Sequence, residues 1–195
     1  GTALAGNVWS WPPPGTRARA CDGTRITWRS GWRRVTWRRG WDVISSARRC
    51  GVRRWAIAMA RSAHLAPTLA VTGLTSALAL RSGRARDTTS VAAAVLCGQL
   101  CVGWSNDYLD RERDRSAGRA DKPIAVGAVR ARSVGVASLL AGAASVPLSY
   151  RSGRRAGTVH LTAIAAALAY NAGLKSTVWS VVPYSAAFGS VPAFV

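Results

Sequence analysis

The chain has 195 residues, 49% of them apolar, and a formal net charge of +19. That length bounds it to one medium domain. Its four cysteines, Cys21, Cys50, Cys97 and Cys101, make no CxxC or Cys/His pattern, which argues against a zinc site or a disulfide framework.

Residues 1–58 differ from everything after them. Trp28, Trp32, Trp37 and Trp41 alternate with Arg29, Arg33, Arg34, Arg38 and Arg39, and no helical or strand period is evident. Tryptophan favours a membrane interface and arginine favours anionic phosphate, so an interfacial or nucleic-acid-binding arm is one reading. The other, preferred here, is a poorly ordered extension outside the native domain, whose deletion leaves membrane insertion intact. The domain proper is then 59–195.

From there the order reads helix 63–80, loop 81–90, helix 91–110, polar loop 111–131, helix 132–150, loop 151–155, helix 156–172, loop 173–177 and a last helix from 178. The segments 63–80, 91–106, 133–150, 156–174 and 176–195 carry no formal charge apart from the histidines His64 and His160. Each approaches the length that crosses a bilayer. Their Ala, Gly, Ser and Thr suit close helix packing in lipid. Five such segments parted by short arginine-bearing loops predict an all-α, polytopic transmembrane bundle. The loop 111–132 holds Arg111, Arg113, Arg115, Arg119, Lys122, Arg130 and Arg132, which predicts its cytoplasmic placement. The chain stops at Val195 inside its last apolar segment, so an incomplete polypeptide is expected.

Cys97 and Cys101, one helical turn apart in an apolar segment, read as small buried hydrophobes. His64 and His160 are isolated in apolar segments and read as packing or interhelical hydrogen-bonding residues, His64 at the border of a cavity.

Five of the eight acidic residues lie together: Asp107, Asp110, Glu112, Asp114 and Asp121. Asn106 to Asp114 reads NDxxDxxxD. On a helix Asp107, Asp110 and Asp114 share an arc of about 60°, whereas Glu112 points elsewhere. Carboxylates so placed repel by roughly 3 kcal/mol per pair, taking about 6 Å and a dielectric near 20. A divalent cation relieves that cost. Oxygen ligands without His or Cys point to Mg²⁺, which usually completes its shell with water and substrate phosphates. Asn106, Asp107, Asp110 and Asp114 form the candidate metal set. Arg111 and Arg115, beside this face, can touch phosphate oxygens or pair with the aspartates. A solvated mixed-charge loop is the plainer alternative, but it leaves three aspartates on one face of a membrane helix unexplained.

Gly118–Gly127 reads GRADKPIAVG, in which Arg119 and Lys122 can bind phosphate or simply supply loop charge. Tyr170–Thr177 reads YNAGLKST. Lys175 there can meet a diphosphate opposite the metal or anchor the helix end by snorkelling.

NDxxDxxxD followed by GRADKPIAVG and YNAGLKST resembles the UbiA superfamily of intramembrane aromatic prenyltransferases, over about residues 60–195. Asp121 and Lys122 stand where the commoner wording has Asn and Arg. The resemblance implies nine membrane helices around a cavity, of which about five are present. It also implies a second aspartate-rich motif that this sequence lacks, so little or no turnover is expected of the chain alone. It implies Mg²⁺-dependent prenyl transfer from an isoprenyl diphosphate to an aromatic or other lipophilic acceptor in a lipid membrane, without nucleic acid. Asp107, Asp110 and Asp114 would be catalytic. Asn106, Arg115, Arg119, Lys122, Tyr170, Asn171 and Lys175 would bind substrate. The competing readings are a non-catalytic membrane protein that uses the acidic loop for cation or partner binding, and a basic nucleic-acid binder driven by residues 1–58.

Overall fold

The computed structural model describes residues 17–19, 25–27 and 51–194. Strands β1 (Arg17–Arg19) and β2 (Arg25–Thr27) pair antiparallel, with Ala18 opposite Ile26. Three-residue strands are too short for a readable alternation, so no pattern announced them. The rest of the expectation for 1–58 lies outside the described residues, except that a helix already begins at Gly51.

Residues 51–194 contain helices and turns and no strand. Helix α1 (Gly51–Ser62) and α2 (Leu65–Arg81) meet at a bend of 64°. The sequence placed one helix over 63–80 and did not show the bend. Its cause is local. Pro67 has no N–H to give the carbonyl four residues back, that of Ala63, and its ring crowds that oxygen. The Thr68 hydroxyl donates to the Ala63 oxygen instead, at 2.9 Å. His64 takes up the left-handed conformation, φ 52°.

Helix α3 (Thr88–Ser116) follows a single 3₁₀ turn, Ala85–Asp87. It runs further than the sequence suggested: 111–116, read as loop, are helical. Arg and Glu are good helix formers. The pairs Arg113–Asp110 (3.1 Å) and Arg115–Glu112 (2.8 Å) sit at i,i+3 spacing and support the extra turns. A turn-rich connection leads to α4 (Ala131–Tyr150), and Gly153 starts α5 (Arg154–Ala172). The last helix expected from 178 is in fact broken. A 3₁₀ turn, Val178–Ser180, precedes α6 (Val181–Gly189) and a short α7 (Val191–Phe194). Pro192 cannot donate back to Phe188, which ends α6.

Helix α3 is central and packs against α2, α4 and α5. At its C-terminal end Ala58, Met59, Ile124, Val129 and Val134 form a core with Trp104, whose indole donates to the Met59 carbonyl at 2.9 Å. At its other end Ala79, Val91, Ala94, Val95 and Phe194 form a second core. Helices α3 and α4 are each long and apolar enough to span a membrane, and the bent α1–α2 pair would make a third span. Two arginines, His160 and Asn171 dilute the apolar character of α5. Leu69, Leu74, Leu139 and Leu140 stand exposed on the outer faces, where lipid is the natural solvent. The fold is an all-α membrane bundle.

Candidate active site

The acidic face of α3 points inward. Asp107 is only 2% exposed and Asp114 is buried, while the Glu112 side chain is 69% exposed. This is the division that helical spacing dictates for positions 107, 110, 112 and 114.

Two lysines from distant segments neutralise this face. The Lys122 ammonium donates to Asp107 Oδ1 at 2.7 Å, and His64 Nε2 lies 3.0 Å from the same oxygen. Lys122 Nζ and His64 Nε2 are 3.3 Å apart. The other carboxylate oxygen of Asp107, Oδ2, is buried and makes no hydrogen bond to the described residues. The bend brings His64 here, and Gly103 makes that possible: a Cβ at Gly103 would lie 2.4 Å from the Ala63 oxygen.

Lys175 sits in a 3₁₀ turn, Leu174–Ser176, entered through Gly173 at φ 151°. Its ammonium donates to both Asp110 oxygens, at 2.7 and 2.6 Å, and to Asn106 Oδ1 at 3.1 Å. Arg113 adds a 3.1 Å contact to Asp110 from its exposed side. Asn171 fixes this end of α5 to α3 by donating to the Val102 carbonyl and Ser105 Oγ, both at 2.9 Å. Tyr170 faces Tyr184, ring centres 6.4 Å apart.

The remaining candidates stand outside this cluster. Arg115 is engaged by Glu112. Arg119 grips Asp121 through two 2.8 Å bonds. That fork holds the exposed Asp121 carboxyl down at about 2 and raises the Arg119 guanidinium, which also feels the charges of Asp114 and Asp107. Arg111 lies over the Tyr108 ring at 4.6 Å.

Below the lysines opens a cavity of about 470 Å³. His64 and Asn106 stand at its polar mouth, and the α3 residues Gly103, Val102, Gln99, Gly98 and Val95 run down one wall. Residues 95 to 106 span about 16 Å of helix. His160 and Phe194 line the far end, with Val71, Ile164 and Ala167 among the apolar walls. A charged head at the mouth and a hydrocarbon tail within would both be satisfied.

Residues 56–195 match the UbiA prenyltransferase family. The chain belongs to the UbiA prenyltransferase family. A search of curated proteins and one of solved structures each found no match.

Membership assigns the reaction class, prenyl transfer to a lipophilic acceptor, and makes this an integral membrane protein. The three UbiA-like motifs read from the sequence fall where one site can use them. NDxxDxxxD lies on α3, Lys122 of the second motif reaches Asp107, and Lys175 of the third reaches Asp110. Sequence reasoning missed His64, Arg113 and Ser105 as members of this constellation. Among the described residues no three His, Cys, Asp or Glu side chains gather as a ready cage for a metal. The donors suit a hard cation all the same. They are oxygens, one buried carboxylate oxygen is unpaired, and Mg²⁺ held together with water and phosphate needs only one or two carboxylates.

Proposed function

We propose that this domain serves the transfer of the prenyl group of an isoprenyl diphosphate to an aromatic or other lipophilic acceptor, with Mg²⁺ at the acidic face of α3. The observation that carries this reading is the coupling of that face to two nearly buried lysines at the mouth of an apolar cavity. Asn106, Asp107, Asp110 and Asp114 would hold the cation. Once bound, it would offset the negative charge of the departing diphosphate.

The protein's own groups do the rest. Lys122 and Lys175 pair with carboxylates in the absence of substrate. An incoming diphosphate offers them phosphate oxygens instead, so charge partners are exchanged and none is stranded. Arg119 and Arg115 are further phosphate contacts, available when they leave Asp121 and Glu112. Tyr170 and Asn171 shape the wall where the prenyl chain enters. The bond from the allylic carbon to the diphosphate oxygen breaks, and the electron pair leaves with the diphosphate. The acceptor's nucleophilic atom then bonds to that carbon and the acceptor loses a proton. The apolar walls keep water from intercepting the allylic cation. The acidic end faces the cytoplasm on this reading, because its loop carries the larger share of lysine and arginine.

Calorimetric titration with geranyl diphosphate tests the proposal. Binding is expected with Mg²⁺, to vanish in EDTA, and to be lost in Asp107→Asn and Asp110→Asn. Binding that ignores Mg²⁺, or survives both substitutions, would overturn it.

A further inference from the structure

The far end of the cavity holds a polar group that this chemistry does not use. His160 is only 9% exposed, and its ring stacks on Phe194 with centres 4.4 Å apart. Its hydrogen bonding fixes its tautomer. Ser149 Oγ lies 2.6 Å from the Ser145 carbonyl and 2.8 Å from His160 Nδ1. A hydroxyl has one hydrogen, and a carbonyl can only accept, so that hydrogen goes to Ser145. Ser149 therefore accepts from Nδ1–H, and Nε2 is left as a bare acceptor.

Nε2 has no hydrogen-bond partner among the described residues. It packs beside Gly98, where an added Cβ would meet Ile164 Cδ1 at 2.8 Å and Nε2 at 3.3 Å, and all three residues line the cavity. Gly98 lies eight residues from Asn106 along α3, a depth of about 12 Å below the mouth. A prenyl chain has no donor to offer there. An acceptor left against hydrocarbon is costly, and a polar atom facing a cavity in a membrane bundle commonly marks a ligand.

We infer that the far end of the cavity is a hydrogen-bonding subsite, in which His160 Nε2 accepts from a hydroxyl on the otherwise apolar acceptor. Naming the acceptor as the occupant rests on the transfer reading above; the hydrogen-bonding subsite itself rests on the cavity alone. Ser149 acts as the positioning residue, since it selects the accepting tautomer.

The test uses the full chain in detergent, without Mg²⁺ or diphosphate, and two fluorescent probes of similar shape, 2-naphthol and 2-methylnaphthalene. The readout is the ratio of their affinities, which cancels partition into micelles. His160→Phe keeps a ring against Phe194 and removes the acceptor. It is expected to lower the naphthol-to-methylnaphthalene ratio about threefold to tenfold, the worth of one hydrogen bond. Ser149→Ala keeps the histidine but releases its tautomer, and is expected to lower the ratio in the same direction. If His160→Phe fails to fold, Ser149→Ala decides alone. A ratio unchanged within about twofold in the variant that folds would overturn the subsite, and would mean that a fixed water satisfies Nε2. Loss of magnesium-linked diphosphate binding with the ratio shift intact would refute the transfer reading only.

Discussion

At the scale of single residues, the site is a set of exchangeable charge pairs, and each pair predicts differently when cut. The Lys175 and Asp110 side chains are 13% and 12% exposed and are joined by two short bonds. Lys175→Met leaves Asp110 with only the exposed Arg113 among the described residues, and should cost about 1–3 kcal/mol of stability. Adding Asp110→Asn should restore most of that loss but not the affinity for a prenyl diphosphate. A double-mutant cycle on Tm and on calorimetric affinity checks both halves. Arg115→Ala cuts a pair that is largely exposed on both sides and should leave Tm unchanged. Any loss of diphosphate affinity in that variant then reports direct contact. Asp121 sits at about 2 because Arg119 binds its charged form. A depressed carboxyl favours the pairing above the ordinary carboxylate range and loses it only as pH falls from about 4 towards 2. At neutral pH Arg119 is therefore occupied. Asp121→Asn should free it and tighten diphosphate binding by about twofold to fivefold, while an unchanged affinity would show that Arg119 does not reach the substrate.

At the scale of elements, one close approach decides whether the site assembles. Gly103 of α3 lies against the Ala63 carbonyl at the α1–α2 bend, next to the residue whose imidazole meets Asp107. A Cβ has no room there, and its obstacle is backbone rather than a mobile side chain. Gly103→Ala should cost about 1–3 kcal/mol of stability and weaken Mg²⁺-linked binding by moving His64. A thermal melt with wild-type Tm would refute that role. The acidic face of α3 was legible in the sequence because i, i+3 and i+7 is a local pattern and the helix imposes it. The chain's lysines beside it were legible as phosphate partners, but nothing in their spacing chose one aspartate each. His64 was legible at the border of a cavity but not as a partner of Asp107, because that contact spans 43 positions and depends on a bend set by Pro67, Thr68 and a glycine on another helix. The helical turns at 111–116 were hidden by the habit of reading dense charge as loop, although their i,i+3 pairs could have been counted.

At the scale of the molecule, one end of the bundle differs chemically from the other. The C-terminal ends of α3 and α5, the start of α4 and the α1–α2 bend share the end that holds both lysines and all three motif aspartates. Arg111, Arg113, Arg115, Arg119, Arg130 and Arg132 crowd the same end. The opposite turns and their flanking helix ends carry six, Arg81, Arg84, Arg86, Arg151, Arg154 and Arg155, fewer than the eight that Lys122 and Lys175 complete at the acidic end, and acidic residues weigh little in orientation. A doubly charged diphosphate does not cross lipid unaided, so the site must open to the compartment that supplies it. On the proposed orientation Ser116 faces the cytoplasm and Ser82, at the other end of α2, the outside. Both serines are exposed. With Cys21, Cys50, Cys97 and Cys101 replaced by serine, Ser82→Cys should react with a membrane-impermeant maleimide on intact cells, whereas Ser116→Cys should react only in inside-out vesicles. The reverse pattern would place the aspartates on the outer face and would require a prenyl diphosphate to be delivered there.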